Sequence, residues 1–417
     1  MAMIRIIKYN LQHYRNIQSA NLSFDNYNLI IGTNNSGKSN FIQSFSFLYF
    51  ILYGGMEDVT NAFRNGFITT RFRDIIPTNW RNIEDTDTLP PISMELEFEN
   101  TKTNRKFTYQ ISFKFQVAEN SKLMRSFIID SESLHYKEYG KPGSPVRIFS
   151  RTKTEEHYGK DFPNFKFDNG VTNAFSLLRV LQISGGSNEA YLDSQLCLSQ
   201  ILKTPVFYFS HTELTKNSTK DQLKIFNGRV VAFDLKEEII NLKNSNNWDI
   251  FKSALHNVLG IEAVDINTYH LNINKNSEEK EAFTFVHFLH AKTFKSLEDL
   301  SDGSILLIAL VIKVLNSDHD IFFIEEPENS THPKALVDLI AFLKSFSETK
   351  QFIITSHSIV LLNKSKLEQI ITSRAESNGM SIFENVNSRK ELKARLRSGK
   401  GNFADELFFE QTEEEFD

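Results

Sequence analysis

Apolar and polar residues alternate with a period of two through neighbouring stretches of the chain. Ile92–Phe98 has an apolar residue at every second position, and Phe107–Phe115 repeats the pattern beyond a polar turn over Asn100–Arg105. Successive side chains of a strand point to opposite faces, so the pattern predicts an antiparallel hairpin with one wet face. Further strands are predicted at Arg125–Asp130 and Ser133–Lys137.

The start of the chain contains the short apolar runs of three strands. They are predicted at Met3–Lys8, Ala20–Phe24 and Asn28–Ile31, with a polar link over Gln12–Gln18 between the first two. The third strand leads into a glycine-containing loop, and an apolar helical pattern follows over Phe41–Tyr53. Strand, glycine loop and helix in this order form the context in which a phosphate-binding loop occurs.

The rest of the chain predicts helices first and an alternation of helices and strands later. Helices are expected at Thr172–Leu181 and Asn188–Leu202, with a longer one at Leu235–Leu259. The last third alternates helix and strand over Ser304–Leu315, Ile321–Ile324, Pro333–Phe346 and Gln351–Thr355. Continuously apolar strands between helices are typical of a sheet that is covered on both faces. Two α/β segments therefore bracket a large insertion.

Composition and charge narrow the class of protein. A chain of 417 residues is long for one compact domain, which fits a core domain with an insertion. The net charge of −5 argues against a uniformly basic nucleic-acid binder but leaves room for a local basic patch. The single cysteine, Cys197, excludes an internal disulfide and fits a reducing compartment. The most apolar run, Ile305–Ile312, is far shorter than the roughly 20 residues of a membrane helix, and no secretion signal is seen. We therefore expect a cytoplasmic protein without a membrane partner.

The loop Gly32–Ser39 carries the clearest chemistry in the sequence. Its glycines let backbone N–H groups approach phosphates, and the N-terminus of the following helix favours negative charge. Lys38 can reach the β- and γ-phosphates of ATP, and the hydroxyl of Ser39 can bind Mg²⁺. The alternative is a glycine turn that only caps a helix, which the strand before the loop and the helix after it disfavour. The predicted ATP contacts are Gly32, Thr33, Asn34, Asn35, Ser36, Gly37, Lys38, Ser39 and Asn40.

Two glutamates directly follow the apolar strand Ile321–Ile324. By themselves, Glu325 and Glu326 are most simply solvated loop charges. A phosphate-binding loop upstream changes this interpretation, because paired carboxylates at the carboxyl edge of the same sheet would lie beside the phosphates. We assign Glu325 to Mg²⁺ and Glu326 to the deprotonation of the attacking water.

Two further segments gain meaning from their order along the chain. Leu300–Ser304 is by itself a good helix start, with Ser301 or Asp302 as its N-cap. In its position ahead of the carboxylate strand, it resembles the LSGG-like signature of ABC ATPases. His357 ends an apolar strand, where a histidine is usually structural. Here it resembles the switch histidine that contacts the γ-phosphate in ABC enzymes, so it joins Glu326 as a predicted catalytic residue.

Details of the motifs resemble the ABC branch that contains RecF, the SMC proteins and the OLD-family ATPases. The phosphate loop has the Asn-Asn-Ser sequence and the trailing Asn40 of that branch. Tyr14-Arg15-Asn16 looks like its aromatic-Arg-Asn segment, which implies that Arg15 approaches the nucleotide phosphates. Glu325-Glu326-Pro327-Glu328, with His332-Pro333 after it, is similar to the EEPE…HP run of OLD-like ATPases. Glu325 stands where most ABC enzymes have aspartate, although OLD-like members often have glutamate.

The resemblance implies an α/β fold of the ABC-type P-loop ATPase, with a mixed sheet, an antiparallel β subdomain and a largely helical inserted lobe. The expected domains are residues 1–55, the N-terminal part of the ATPase with the P-loop; 56–150, the antiparallel β subdomain; 151–290, an inserted lobe for sensing or partner binding; 291–375, the C-terminal part with signature, Walker B strand and switch histidine; and 376–417, a C-terminal extension.

The resemblance also implies cofactors and an assembly. ABC ATPases hold nucleotide between two subunits, so Ser301 and Gly303 would contact ATP bound by the partner copy. ATP and Mg²⁺ are the implied cofactors, and a homodimer through composite ATP sites is the implied assembly, with a higher homo-oligomer left open. The glutamine that usually links nucleotide to the inserted lobe is not assigned, and several glutamines, Gln182 among them, are candidates.

Such a switch drives a partner, and the leading hypothesis is an ATPase subunit of a prokaryotic anti-phage defence system. The chain resembles stand-alone OLD-like ATPases that are encoded beside a separate nuclease or toxin in Septu, PARIS and retron systems. The stretch from Ser358 to Asp417 is shorter than the roughly 100 residues that a Toprim nuclease domain needs. The effector nuclease or toxin is therefore expected on another chain.

Two alternatives remain. A RecF-like ATPase of DNA repair or a DNA clamp would bind duplex DNA directly, and Arg389–Lys400 contains six basic residues and one acid that could follow a phosphate backbone. A solvated helix face explains the same run of charges. A non-hydrolysing scaffold is the third class, which the complete set of catalytic motifs disfavours.

Overall fold

A computed structural model describes residues 3–53, 89–117, 125–152, 154–159, 176–178, 181, 188–204, 206–208, 222–226, 230–272 and 280–388. The chain divides into two compact units. The first unit comprises Met1–Thr204, His319–Phe323 and Ser347–Asp417, and the second comprises Pro205–Asp318 and Ile324–Phe346.

The described residues form the following strands and helices. The strands are β1 (Ile4–Tyr14), β2 (Ile17–Ser23), β3 (Tyr27–Gly32), β4 (Ile92–Asn100), β5 (Arg105–Val117), β6 (Arg125–Glu138), β7 (Val146–Thr152), β8 (Glu156–Tyr158), β9 (Val206–Tyr208), β10 (Gln222–Phe226), β11 (Val230–Asp234), β12 (Ile261–Asn272), β13 (Lys280–His290), β14 (Thr293–Ser296), β15 (Ile321–Glu325), β16 (Gln351–Ser356), β17 (Ile370–Ala375) and β18 (Ser381–Asn385). The helices are α1 (Lys38–Tyr53), α2 (Glu189–Leu202), α3 (Leu235–Lys243), α4 (Trp248–Leu259), α5 (Asp302–Asn316), α6 (Pro333–Ser345) and α7 (Ile359–Asn363).

A mixed sheet forms the centre of the first unit, in the order β15–β16–β3–β17–β18–β2–β1–β4–β5–β6–β7–β8. Strand β3 pairs in parallel with β16 on one side and with β17 on the other. Every residue of β3 and of β16 is buried. The prediction of a sheet covered on both faces is therefore confirmed for these strands, and the α/β fold with a mixed sheet is as the sequence predicts.

The antiparallel part of this sheet contains the predicted hairpin. Strands β4 and β5 pair from Ile92 opposite Phe113 to Asn100 opposite Arg105, and the apolar residues of this pair face the core. The prediction of two strands over Arg125–Lys137 is wrong, because β6 is continuous there. Its pairing with β5 skips Asp130, so a β-bulge absorbs the extra residue without ending the strand.

The polar link predicted over Gln12–Gln18 is also wrong. Strand β1 continues to Tyr14 and only two residues separate it from β2. Gln12 pairs with Ser19 of β2 on one side and with Ser93 of β4 on the other. Ladder hydrogen bonds on both sides keep this polar stretch extended despite its low apolar content.

A buried ionic cluster lies within the antiparallel strands. The carboxylate of Glu132 accepts hydrogen bonds from the Tyr109 hydroxyl at 2.8 Å, the Ser176 hydroxyl at 2.6 Å and the Leu177 N–H at 2.7 Å. Arg151 completes the cluster with an ion pair of 2.8 Å to Glu132. Burial and the neighbouring carboxylate raise the pKa of the Tyr109 hydroxyl well above its usual value, so this hydroxyl remains a donor.

The predicted helix Thr172–Leu181 lies mostly outside the described residues.

The second unit contains strands and helices that the sequence patterns combined or missed. The single helix predicted over Leu235–Leu259 is wrong, because α3 ends at Lys243 and α4 begins at Trp248. Asn244 is the C-cap of the first helix and Asn247 is the N-cap of the second, and asparagine favours helix ends over helix interiors. Strands β12, β13 and β14 form a separate antiparallel sheet, and β10 pairs with both β9 and β11. Among the described residues, no helix has the length and apolar character to cross a membrane.

Candidate functional site

The loop between β3 and α1 holds its lysine against its own backbone. Lys38 is the first residue of α1, and its side-chain ammonium donates to the carbonyl oxygens of Gly32 and Thr33, both at 2.9 Å. The residue is only 4% exposed. Because α1 begins here, its positive N-terminal end and the Lys38 ammonium bring positive charge to one place, which favours an anion.

Glycine is required at two positions of this loop. A Cβ atom on Gly32 would collide with the side-chain and carbonyl oxygens of Ser373, which is the register partner of Gly32 on β17. Gly37 has a φ of 86°, and Asn35 before it has a φ of 66°. Left-handed backbone is cheap for glycine and tolerable for asparagine. Backbone that changes between right- and left-handed conformations turns successive N–H groups toward a common point, as in anion-binding nests.

The Arg15–Asn16 turn between β1 and β2 contacts this loop and the first turns of α1. The Arg15 guanidinium donates to the Asn40 side-chain oxygen at 2.6 Å and also to Gln43. The Asn16 side chain accepts from the Asn40 amide at 2.7 Å and donates to the carbonyl oxygen of Asn35 at 3.2 Å. The structure thus places Arg15 against α1 beside the phosphate loop. Its contact with nucleotide phosphates stays a prediction.

His357 lies at the same edge of the sheet as the loop. It directly follows Ser356, the last residue of β16, which is the register partner of Ile31 in the parallel strand β3. The histidine is exposed, whereas Ser356 is fully buried. The first unit therefore brings the phosphate loop and His357 to the carboxyl ends of the neighbouring parallel strands β3 and β16, which is where α/β sheets bind ligands. The Arg15 turn of the antiparallel hairpin β1–β2 contacts the loop and α1.

Three residues of this region have no recognisable pattern in the sequence. Gln43 receives the second hydrogen bond of Arg15. The Ser373 hydroxyl lies 2.7 Å from the Ser36 hydroxyl of the loop, and the Ser381 hydroxyl accepts from Asn16 at 3.1 Å. The two serines come from strands that only folding brings beside the loop. The apolar run Ile370–Ile371 ahead of Ser373 could have marked a further strand of the central sheet, and with it the position of this serine.

The twin glutamates of the second unit have different environments. Glu325 ends β15 and is 7% exposed. Glu326 is more exposed and has a left-handed backbone, with φ 47° and ψ 58°. Its carboxylate accepts from the Asn329 side-chain amide at 2.9 Å, and its carbonyl oxygen accepts from the Asn329 N–H at 3.1 Å. A left-handed backbone costs free energy for any residue other than glycine, and such residues cluster at functional sites.

The segment Leu300–Ser304 begins helix α5, as expected for its helix-start interpretation. Ser301 is the N-cap, and its hydroxyl accepts from the Ser304 N–H at 3.2 Å. Ser301 is exposed at the helix end, and Gly303 is buried within the first turn. The cap leaves Ser301 at a surface position. Contact of Ser301 and Gly303 with ATP on a partner copy stays a prediction.

A family model described as "AAA domain, putative AbiEii toxin, Type IV TA system" matches residues 27–363. The chain belongs to this family. The match includes the phosphate loop, the signature-like helix start, both glutamates and His357. This AAA-domain protein is thereby a member of the P-loop ATPases. No curated protein matches the chain.

Solved structures similar to this AAA-domain protein include heads of SMC proteins. The SMC head domain from Thermotoga maritima has a TM-score of 0.42 at 13% identity, covering 91% of this chain and 98% of that one. An SmcHead bound to the C-winged helix domain of ScpA has a TM-score of 0.43 at 12% identity. The match covers 91% of this chain and 97% of that one. The Smc head from Pyrococcus furiosus with an extended coiled coil, bound to the C-terminal domain of ScpA, has a TM-score of 0.42 at 13% identity, covering 95% and 100%.

Proposed function

We propose that this protein binds and hydrolyses ATP and uses the two nucleotide states as a switch. The observation that carries the proposal is the Lys38 ammonium, held at 2.9 Å from two carbonyl oxygens of a glycine loop that joins a buried parallel strand to a helix. That arrangement presents backbone N–H groups, a helix N-terminus and a cation to one anion. A triphosphate is the ligand that would contact the N–H groups, the helix N-terminus and the ammonium together.

The residues present fit a magnesium nucleotide. Ser39 and Glu325 offer a hydroxyl and a buried carboxylate, and oxygen ligands are those that Mg²⁺ prefers. When bound, Mg²⁺ would neutralise negative charge on the phosphates. Ser39 and Glu325 would hold the ion.

The protein's own residues divide the remaining chemistry between them. Lys38 neutralises the β- and γ-phosphates, and the loop N–H groups orient them. Glu326, which is more exposed than Glu325 and is held by Asn329, takes the proton of the attacking water. His357 contacts the γ-phosphate and distinguishes ATP from ADP. Arg15 supports the phosphates from the side of α1.

The ATP sites are proposed to form between two copies of the chain. Ser301 caps α5 with its side chain at the surface, where it can complete the site of a partner. The ATP-bound form would then be a dimer, and hydrolysis would release it.

Two single variants test the ATPase chemistry. Glu326→Gln should bind ATP with near-normal affinity and release phosphate at least 100-fold more slowly, because the shape is kept and the base is lost. Lys38→Ala should lose ATP affinity, because a charge-assisted contact to the phosphates is removed. Normal phosphate release by Glu326→Gln would remove Glu326 from its role. Unchanged ATP affinity together with unchanged turnover of Lys38→Ala would leave the loop as a simple turn.

A mixing experiment tests the composite site. Ser301→Arg blocks the signature half of a site, and Lys38→Ala blocks the phosphate-loop half. Each homodimer then has two broken sites, whereas a mixed dimer has one intact site, so the mixture should recover up to about a quarter of wild-type activity if the sites act independently. Crosslinking measures the fraction of mixed dimer directly. An inactive mixture that contains the mixed dimer would show that the two sites are coupled. Full activity of Ser301→Arg alone would reduce Leu300–Ser304 to a helix cap.

We infer that the switch serves an anti-phage defence system and controls a separate nuclease or toxin. Support comes from the OLD-like motifs and from the family description, which mentions a putative toxin of a type IV toxin–antitoxin system. A repair or clamp ATPase is the second candidate, favoured by the basic run Arg389–Lys400, which lies outside the described residues. Loss of phage resistance in cells carrying Glu326→Gln, with wild-type DNA repair, would support defence. Tight, ATP-dependent binding of a plain duplex, with no change in phage resistance, would support the alternative.

A further inference from the structure

We infer that Asn16 is a positioning residue that holds the phosphate loop in its anion-binding shape. The inference rests on the proposed ATPase function and adds a residue to it. One carboxamide of the β1–β2 turn contacts two distant segments, the phosphate loop with the start of α1 and the start of β18. It donates to the carbonyl oxygen of Asn35 at 3.2 Å and to the Ser381 hydroxyl at 3.1 Å, and it accepts from the Asn40 amide at 2.7 Å.

The bond to Asn35 acts on the part of the loop where backbone shape matters most. Asn35 has a left-handed backbone, and its carbonyl group shares a planar peptide with the N–H of Ser36. A hydrogen bond that fixes this carbonyl therefore fixes the whole peptide plane. Gly37 lies against the same carboxamide, since a Cβ atom there would be 2.9 Å from the Asn16 side-chain oxygen. Asn16 thus touches both left-handed residues of the loop.

The contacts of Asn16 on its other side explain how it stays in place. The main-chain carbonyl oxygen of Asn16 accepts from the Ser381 N–H at the start of β18. The turn is therefore fixed to the sheet by a backbone hydrogen bond as well as by the side chain. Its partner Asn40 also accepts from Arg15 at 2.6 Å. Arg15 therefore hydrogen-bonds to side chains of α1, whereas Asn16 hydrogen-bonds both to α1 and to the loop itself.

Preorganised donors bind charge without a cost of reorganisation at the moment of binding. Without Asn16, the Asn35 peptide is freer to rotate, and phosphate must reorder it. Glu326 is the proposed base for the attacking water, whereas the role inferred for Asn16 is to shape the loop. Its loss should therefore weaken nucleotide binding much more than it slows the bound reaction.

The test compares Asn16→Ala and Asn16→Asp with Asn385→Ala. Asn385 is a matched control, because its side chain donates to the Ser23 carbonyl oxygen at 2.8 Å and accepts from the Ser23 N–H at 2.9 Å, joining β18 to β2 without touching the loop. Affinities for ATP, ADP and AMP are measured by fluorescent-nucleotide titration. Steady-state kinetics give KM and kcat, and a thermal melt reports folding.

We expect Asn16→Ala to raise the KM for ATP about 10-fold, with kcat within about 3-fold of wild type, as for a group that contributes to binding but not to the chemical step. Asn16→Asp keeps size and the acceptor for Asn40 but adds a negative charge beside the loop. Its affinity loss should grow from AMP to ADP to ATP and shrink with salt. Asn385→Ala should leave all three affinities unchanged.

An unchanged KM in a folded Asn16→Ala, or an equal loss in Asn385→Ala, would overturn the inference. If Asn16→Ala does not fold, Asn16→Asp decides: a loss that is the same for AMP and ATP would also overturn it. Wild-type protein and Lys38→Ala are measured alongside. Wild-type protein that binds no ATP would overturn the proposed function itself, whereas tight wild-type binding with an unaffected Asn16→Ala overturns the role of Asn16 alone.

Discussion

Arg151 forms an ion pair with Glu132 at 2.8 Å, and these two side chains are only 2% and 0% exposed. The residues are register partners on β7 and β6, so the pair lies across one rung of the antiparallel ladder. Glu132 also orders Ser176 and Leu177 through hydrogen bonds, which makes the pair an anchor for a segment distant in sequence.

Removing one member of this pair should be costly. Arg151→Met leaves a buried carboxylate without its cation, and we expect it to lower the free energy of unfolding by about 3–5 kcal/mol. Adding Glu132→Gln removes the orphaned charge, so the double variant should be clearly less destabilised than the sum of the single variants. Urea unfolding of all four proteins gives the coupling energy. Additivity to within about 0.5 kcal/mol would show that the pair is not coupled.

The left-handed backbone of Glu326 predicts an unusual order of stabilities. Glycine normally costs stability relative to alanine because it gains freedom in the unfolded chain. At φ 47°, alanine pays a steric penalty that glycine avoids, so Glu326→Gly should be more stable than Glu326→Ala by about 1 kcal/mol. Both variants lack the carboxylate, so loss of activity does not affect the comparison. A thermal or urea melt in which the alanine variant is the more stable would contradict the prediction.

The single thiol should resist alkylation. Burial raises the pKa of Cys197 far above the usual thiol value of about 8.5, and the nearby Asp193 carboxylate acts in the same direction. The thiolate is the reactive form, so the rate with iodoacetamide should stay low as the pH rises from about 7 to 9. Leu196→Cys in a Cys197→Ser background places a thiol one position away at an exposed site, and its rate should rise steeply over this range. Similar rates for the two folded proteins would contradict the burial argument.

Two buried threonines should respond oppositely to valine. The Thr355 hydroxyl is buried and has no hydrogen-bond partner among the residues that the structure describes. Thr355→Val keeps the shape and removes an unsatisfied polar group, so it should raise the free energy of unfolding by about 1 kcal/mol. Thr372 is a matched control on β17, on the other side of β3, since its hydroxyl donates to the Glu384 carbonyl oxygen at 3.3 Å. Thr372→Val should be destabilising by a similar amount, and a stabilising effect there would contradict the reasoning.

Local patterns predicted the parts of the fold that depend on neighbouring residues. The hairpin β4–β5 follows from alternation alone, and the strand, loop and helix around Lys38 follow from one short motif. Errors arose where distant partners decide. Gln12 stays in a strand because β2 and β4 both pair with it, and Asp130 is accommodated as a bulge by its pairing with β5. No window of sequence contains that information.

The candidate site shows the same division. Gly32, Lys38, Glu325 and Glu326 belong to compact motifs whose chemistry can be read directly. Ser373 contacts the loop, and Ser381 contacts Asn16 beside it, only because β17 and β18 are strands of the same sheet as β3. Their serines are ordinary in composition, so only the folded arrangement identifies them.

The position of β3 also determines when the phosphate loop can be completed during translation. Both parallel neighbours of β3, the strands β16 and β17, are encoded some 300 residues after it. At about 5–20 residues per second, the ribosome delivers them roughly 15–60 s after β3. Until then the buried apolar strand has neither of its ladder partners, and Gly32 lacks the serine that fits against it. The nascent chain therefore carries an unpaired apolar strand through most of its synthesis, and the phosphate loop is among the last parts of the fold to become native.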